Sequence, residues 1–175
     1  TEETITHSAF RIPHSLSVPD RWILSKLQRT TTKVTAALDK FLFNEAATAL
    51  YDFLWHDYCD WYLEVSKIQL AASSKLQAAN PTFAILIHVL ETSLRLLHPI
   101  MPFVTEELWQ HLCKLQAASS KLHAKPAAGS LQPAASIMVA PWPMANKKLL
   151  DTPAEPLFAQ LQNVVPARRP PRAAL

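Results

Sequence analysis

Apolar residues recur along this chain at helical rather than strand spacing, in four successive runs. Pro19-Asp20 opens the first, and Ile23, Leu27, Val34, Leu38 and Phe41 follow at steps of four, seven, four and three. Asn44 is placed to cap a second helix running to about Leu70, with Ala47, Leu50, Leu54, Trp61, Val65 and Ile68 as its core stripe. Tyr51, Trp55, Tyr58 and Tyr62 broaden that stripe into an arc wide enough to pack on two neighbours at once. Asn80-Pro81 starts a third helix, cap then proline, whose face is Phe83, Ile87, Leu90, Leu94 and Leu97 and whose stop is Pro99. The fourth spans roughly 104–115: Thr105 offers a hydroxyl cap, Glu106 and Glu107 put negative charge in the first turn, and Leu108, Trp109 and Leu112 form the inner side. Four helices with short joints predict an all-α antiparallel bundle over residues 19–115.

Outside the bundle the pattern loosens. Residues 1–18 form a polar, aperiodic leader. The hexamer AASSKL occurs at 71–76 and again at 117–122 and reads as low-complexity filling of surface loops, the second copy within a loop over 116–135. Ser136 to Ala140 reads as a short extended segment closed by Pro141-Trp142-Pro143, and a last short helix covers 154–163. Pro166, Pro170 and Pro171 then forbid continuation, leaving 164–175 as a basic, proline-rich tail. The C-terminal extension is therefore expected to be partly irregular.

Composition sharpens the helical reading. A single glycine, Gly129, stands against 14 prolines, so few of the glycine-requiring hairpin turns can be built. The two cysteines, Cys59 and Cys113, lie 54 apart with no CxxC, which fits two small buried thiols in a reduced, cytosol-like compartment better than a disulfide framework. No apolar run is long enough to cross a membrane. The net charge of +3 hides an asymmetry: residues 1–110 carry 9 Lys/Arg against 12 Asp/Glu, residues 111–175 carry 8 against 2. A basic, proline-rich end can touch nucleic acid, or can simply be solvated.

Three groups of residues could carry chemistry. On the first helix Trp22, Lys26, Arg29, Lys33 and Lys40 fall on one side, with Arg21 beside the upper end. Cations that follow a phosphate backbone next to a ring that stacks a base are what single-stranded nucleic acid requires. A positive solvated face, with Trp22 tucked into the bundle, is the plain alternative. On the second helix Asp52, His56, Asp60 and Glu64 repeat every four residues, a geometry that metal ligands could use. The Glu-x-x-His motifs that complete di-metal bundles are missing, so this reads as an acidic surface, with no metal site expected. The chain has no GxSxG, no glycine-rich phosphate loop and no HExxH, so no catalytic residue is assigned.

The segment HPIMPFVTEELW at 98–109 carries more than a helical corner. It resembles a signature of the class I aminoacyl-tRNA synthetases for valine, isoleucine and leucine, within their helical anticodon-binding domain. DRWILSKL (20–27), FNEAATALYDFLWHDYCDWYLEVSK (43–67) and SIMVAPWP (136–143) resemble further blocks of that domain in the same order. The Asp60–Glu64 run, the MPFVTEELW form and SIMVAPWP are most similar to the valine branch. The resemblance implies tRNA, through its anticodon stem-loop, and the remaining domains of a synthetase as partners, with no membrane. It implies Arg21 and Trp22 as anticodon contacts and Lys26, Arg29 and Lys33 as backbone contacts, while His98, Pro99, Pro102, Glu106, Glu107 and Trp109 build the corner. ATP and Mg²⁺ would belong to a catalytic domain whose HIGH and KMSKS motifs are not in this chain, so no cofactor is expected here. The first helix of the family's bundle finds no match in residues 1–18, and the likeness fades near 163, so the chain looks like a fragment. The alternatives are a freestanding helical protein-interaction module built on the tryptophan-rich second helix, or a remnant without RNA binding.

Overall fold

In the computed structural model the described residues are 16–72, 80–122 and 136–167, and they are helical with irregular connections. Helix α1 (Val18–Asp39) opens on Ser17, whose Oγ accepts from the Asp20 amide at 3.4 Å and donates to the Asp20 carboxylate at 2.7 Å. Pro19 sits in the first turn, where its missing N–H costs nothing. Then come α2 (Phe43–Asp52), a π-helical run over Phe53–Tyr62 and α3 (Leu63–Ala72), three continuous parts of one long rod. Helix α4 (Pro81–Leu97) is capped by Asn80, whose side chain accepts from the Thr82 amide at 3.0 Å, as the sequence predicts. Helix α5 (Pro102–Leu122), two 3₁₀ turns (Ile137–Val139 and Lys147–Leu149) and α6 (Ala154–Ala167) follow.

Cross-links fix the directions. Tyr62 Oη donates to Asp20 at 2.8 Å, Lys26 pairs with Asp57, and Val34 and Ala37 cluster with Ala46, Ala49 and Leu50, so the long rod runs antiparallel to α1. Tyr58 Oη reaches the Leu86 carbonyl and Thr82 Oγ1 reaches Gln69, which turns α4 antiparallel to the rod and brings it alongside α1 in the same sense. Leu94 meets Trp109 and Leu112, so α5 runs back down α4. Finally Glu155 lies at Ser25 and Arg29 while Phe158 stacks on Trp22, laying α6 antiparallel on α1. Helix α1 is thus the spine: its Trp22, Ile23, Leu24, Leu27 and Val34 are all buried.

Several local expectations change: of the two thiols expected to be buried, Cys59 is exposed and Cys113 half-buried. The inner stripe of the rod is Ala46, Ala49, Leu50, Phe53, Tyr58 and Tyr62, while Ile68 is 71% exposed and Leu54 and Trp61 are half-buried. The step of five from Phe53 to Tyr58 is the i to i+5 repeat of a π turn, so an α-helical register misassigns the face beyond Leu50. Asn44 is not a cap; Leu42 holds that position without a side-chain bond, and the Asn44 carbonyl accepts from Thr48 Oγ1. Helix α5 begins at Pro102, so Thr105 lies inside it and Glu106 and Glu107 fall beyond the first turn. The helix also outruns 115: the second AASSKL copy forms its C-terminal end rather than a loop, and most of the first copy lies outside the described residues. Ser136 and Ala140 are extended, but Ile137–Val139 between them close a 3₁₀ turn, with Glu106 Oε2 taking the Ser136 hydroxyl and the Ile137 amide and no neighbouring strand to pair with among the described residues. Helix α6 passes 163 and includes Pro166 as its penultimate residue. The proline forfeits one backbone bond there. Most of the leader and the tail beyond Ala167 lie outside the described residues.

Candidate nucleic-acid interface

The basic side of α1 divides into a committed upper half and an open lower half. Arg21 Nη1 pairs with Asp151 Oδ2 at 3.1 Å, and its Nε is buried without a hydrogen-bond partner. Lys26 Nζ pairs with Asp57 Oδ2 at 3.4 Å and stands 6.0 Å from the Trp22 ring centroid. Burial pushes the Asp57 carboxyl upward, and the Lys26 charge and hydrogen bond offset only part of that. Arg29 Nε donates to Glu155 Oε1 at 2.7 Å, and Ser25 Oγ donates to the same oxygen at 2.7 Å. Burial pushes the Glu155 carboxyl up, but those two bonds and the Arg29 and Lys26 charges outweigh it and hold Glu155 below its usual range. Each of these cations is therefore a strut between α1 and an element packed on it.

Trp22 is the clearest correction. It lies 2% exposed in the main core, stacked on Phe158 with centroids 4.0 Å apart, and Trp61 meets Phe158 edge-on. Its ring offers no free face to a base in this fold. Four-residue spacing placed Trp22 in line with the lysines, but its indole turns into the groove that α6 fills. The sequence carried that signal only in Phe158, more than a hundred residues away.

Lys33 and Lys40, by contrast, are exposed and have no ion-pair partner among the described residues. Lys147 and Lys148, which sequence reading passed over, are exposed too, and the chain around them is tied to α1. Trp142 Nε1 donates to Thr35 Oγ1 at 3.0 Å, and the Asn146 amide donates to Gln28 Oε1 at 2.7 Å. The second 3₁₀ turn thus lies between Asn146 at Gln28 and Asp151 at Ser25 and Arg21, on α1 beside the upper half of the basic side. Their signal in the sequence was the Lys-Lys pair itself, but only the fold brings it to α1.

The 98–109 corner is architecture. Thr105 Oγ1 lies 2.8 Å from the Met101 carbonyl and 2.8 Å from His98 Nδ1, tying the end of α4 to the first turns of α5. Glu106 receives Gln110, Ser136 and the Ile137 amide, and these hydrogen bonds, Gln110's first, hold its carboxyl below the usual range. Trp109 is buried beside Leu94, Leu112 and Ile137. Glu107 faces outward and meets His111 at 3.1 Å, and Pro99 and Pro102 are exposed. On the acidic ladder His56 Nδ1 lies 3.5 Å from Asp60, and among the described residues no three His, Cys, Asp or Glu side chains converge as for a metal ion. No helix among the described residues is long and apolar enough to span a membrane.

The fold so built defines a class, an all-α antiparallel bundle on a basic central helix. Residues 20–174 match the family described as the anticodon-binding domain of tRNA ligase, and the chain belongs to that family. It is similar to the valine–tRNA ligase of Thermotoga maritima, 42% identical over 92% of this chain and 16% of that protein. It is likewise similar to those of Pseudothermotoga lettingae, 41% identical over 87% of this chain and 15% of that one, and Bacillus cereus, 41% identical over 90% and 16%. The chain therefore spans about one-sixth of the length of the relatives it matches.

Proposed function

We propose that this chain is the tRNA-docking domain of a valine–tRNA ligase and receives the anticodon stem-loop on the basic side of α1. The observation that carries the reading is the match over residues 20–174, joined to the shared identity with valine–tRNA ligases. On this reading the ATP- and Mg²⁺-dependent aminoacylation of a cytoplasmic enzyme belongs to a catalytic domain outside this chain. Lys33 is the foremost phosphate contact, because it alone of the five candidates is free of the core and of carboxylates among the described residues. Arg21, Lys26 and Arg29 add a positive potential that their carboxylate partners partly cancel, and Trp22 holds α6 in place rather than stacking a base.

Filter binding of tRNA-Val and of a tRNA with another anticodon, across a range of salt, tests this. The expected result is tighter binding of tRNA-Val, weakened by Lys33→Glu with the fold unchanged by circular dichroism. Equal binding of the two tRNAs would reduce the domain to a basic surface. No binding at low salt would remove the RNA reading for this chain.

A further inference from the structure

On the side of the rod turned away from the core, Tyr51 and Trp55 stand one turn apart with their rings nearly parallel, 9° between planes and 6.3 Å between centroids. They are 60% and 55% exposed, and His56 meets Tyr51 edge-on at 6.2 Å. Large aromatic rings left uncovered side by side are unusual on a domain of this size and mark contact surfaces. Their electrical surroundings say what kind. From Phe41 to Ser66 the sequence holds five carboxylates, Glu45, Asp52, Asp57, Asp60 and Glu64, and no lysine or arginine. Asp57 is engaged by Lys26 and Glu64 by Lys67, whereas Glu45, Asp52 and Asp60 are exposed with no lysine or arginine partner among the described residues. Such a potential repels a phosphate backbone, so the rings are not a platform for RNA bases.

We propose that this aromatic, acidic face docks an extended arginine-rich segment of a partner polypeptide. A guanidinium is planar and weakly hydrated, so it stacks on Tyr51 and Trp55 while its fork of donors reaches Asp52 or Asp60. An ammonium can meet the carboxylates but cannot stack, so the face discriminates arginine from lysine. The π-helical run begins at Phe53, between the two rings, and sets their relative orientation.

Fluorescence anisotropy of a labelled Arg-Gly-Arg-Ser repeat peptide against the full chain provides the test, with the lysine counterpart and a labelled oligouridine as comparisons. The arginine peptide is expected to bind several-fold more tightly than the lysine peptide. Trp55→Ala, and separately Asp52→Asn with Asp60→Asn, should each weaken it about tenfold. Because these side chains are exposed, the variants should keep the wild-type melting temperature, and Trp55→Ala should keep the wild-type affinity for tRNA. Absence of peptide binding at low salt would overturn the proposal. So would equal binding of the two peptides, an unchanged affinity in Trp55→Ala, or sedimentation showing that the face pairs two copies of this chain instead.

Discussion

Phe41 is the one non-glycine residue with positive φ, 59°, among the described residues, and its surroundings explain why. The Leu42 amide bonds the Ala37 carbonyl and the Phe41 amide bonds the Leu38 carbonyl, both at 2.9 Å, which is a Schellman closure of α1 with Phe41 in the left-handed position. Glycine ordinarily fills that place because a Cβ there costs about 1–2 kcal/mol. Phe41 is 78% exposed, so it recovers little of that by packing, beyond an edge contact with Phe43. Phe41→Gly is expected to stabilise the domain by about 1 kcal/mol, read as a higher urea midpoint with an unchanged slope. Another single residue sets a pH dependence. Burial, then the nearby Arg95 charge, lowers His88 to about 4. Unfolded, that imidazole takes up a proton near pH 6.5, so the unfolded state binds more protons between those values and stability falls as pH falls through them. The loss should reach about 3 kcal/mol at most, and His88→Leu should flatten the stability profile in that window.

At the scale of elements, Glu106 clasps α5 to the first 3₁₀ turn through Ser136 and Ile137. Its carboxyl is held below the usual range, so this stabilisation is complete above ordinary carboxylate pH and is lost as pH falls through the depressed value. Glu106→Ala should cost about 1 kcal/mol, since the group is only half-buried, and should speed amide exchange at Ile137 before other sites. This clasp was out of reach of the sequence, where Glu106 read as a first-turn charge, because its partners lie 30 and 31 residues away. What was legible is local: the Asn80-Pro81 start, the apolar face of α1 from Ile23 to Leu38, though not Phe41, and the stop at Pro99 all follow from neighbours in the chain. What was not is long-range or departs from the α repeat. The π run moves the inner face of the rod from Leu54 and Trp61 to Phe53, Tyr58 and Tyr62, and α6 claims Trp22. Of the five candidate contacts, four are thereby tied into the fold and Lys33 is left open. Trp22→Ala would open a cavity costing about 3–5 kcal/mol, so a loss of RNA binding in that variant would report unfolding rather than lost stacking.

Across the whole molecule, charge is laid out on two sides of one spine. Lys33 and Lys40 on α1, with Lys147 and Lys148 on the 3₁₀ turn that rides beside it, leave positive charge uncommitted. The outer side of the rod carries Glu45, Asp52 and Asp60 with no lysine or arginine between Phe41 and Ser66. A phosphate polymer approaching such a dipole is oriented before it touches, and each lysine it meets releases about one counterion. If RNA lies along α1 and crosses the second 3₁₀ turn, Lys33→Ala and Lys147→Ala should each lower the slope of log affinity against log salt by about 1, additively. Lys114→Ala, on α5 away from this side, should leave the slope unchanged. Neutralising Asp52 and Asp60 together should raise affinity for every tRNA alike, without changing the preference among them, because those carboxylates act on the RNA through the field alone. A change in preference from either acidic substitution would place RNA on the rod and reverse the assignment of the two sides.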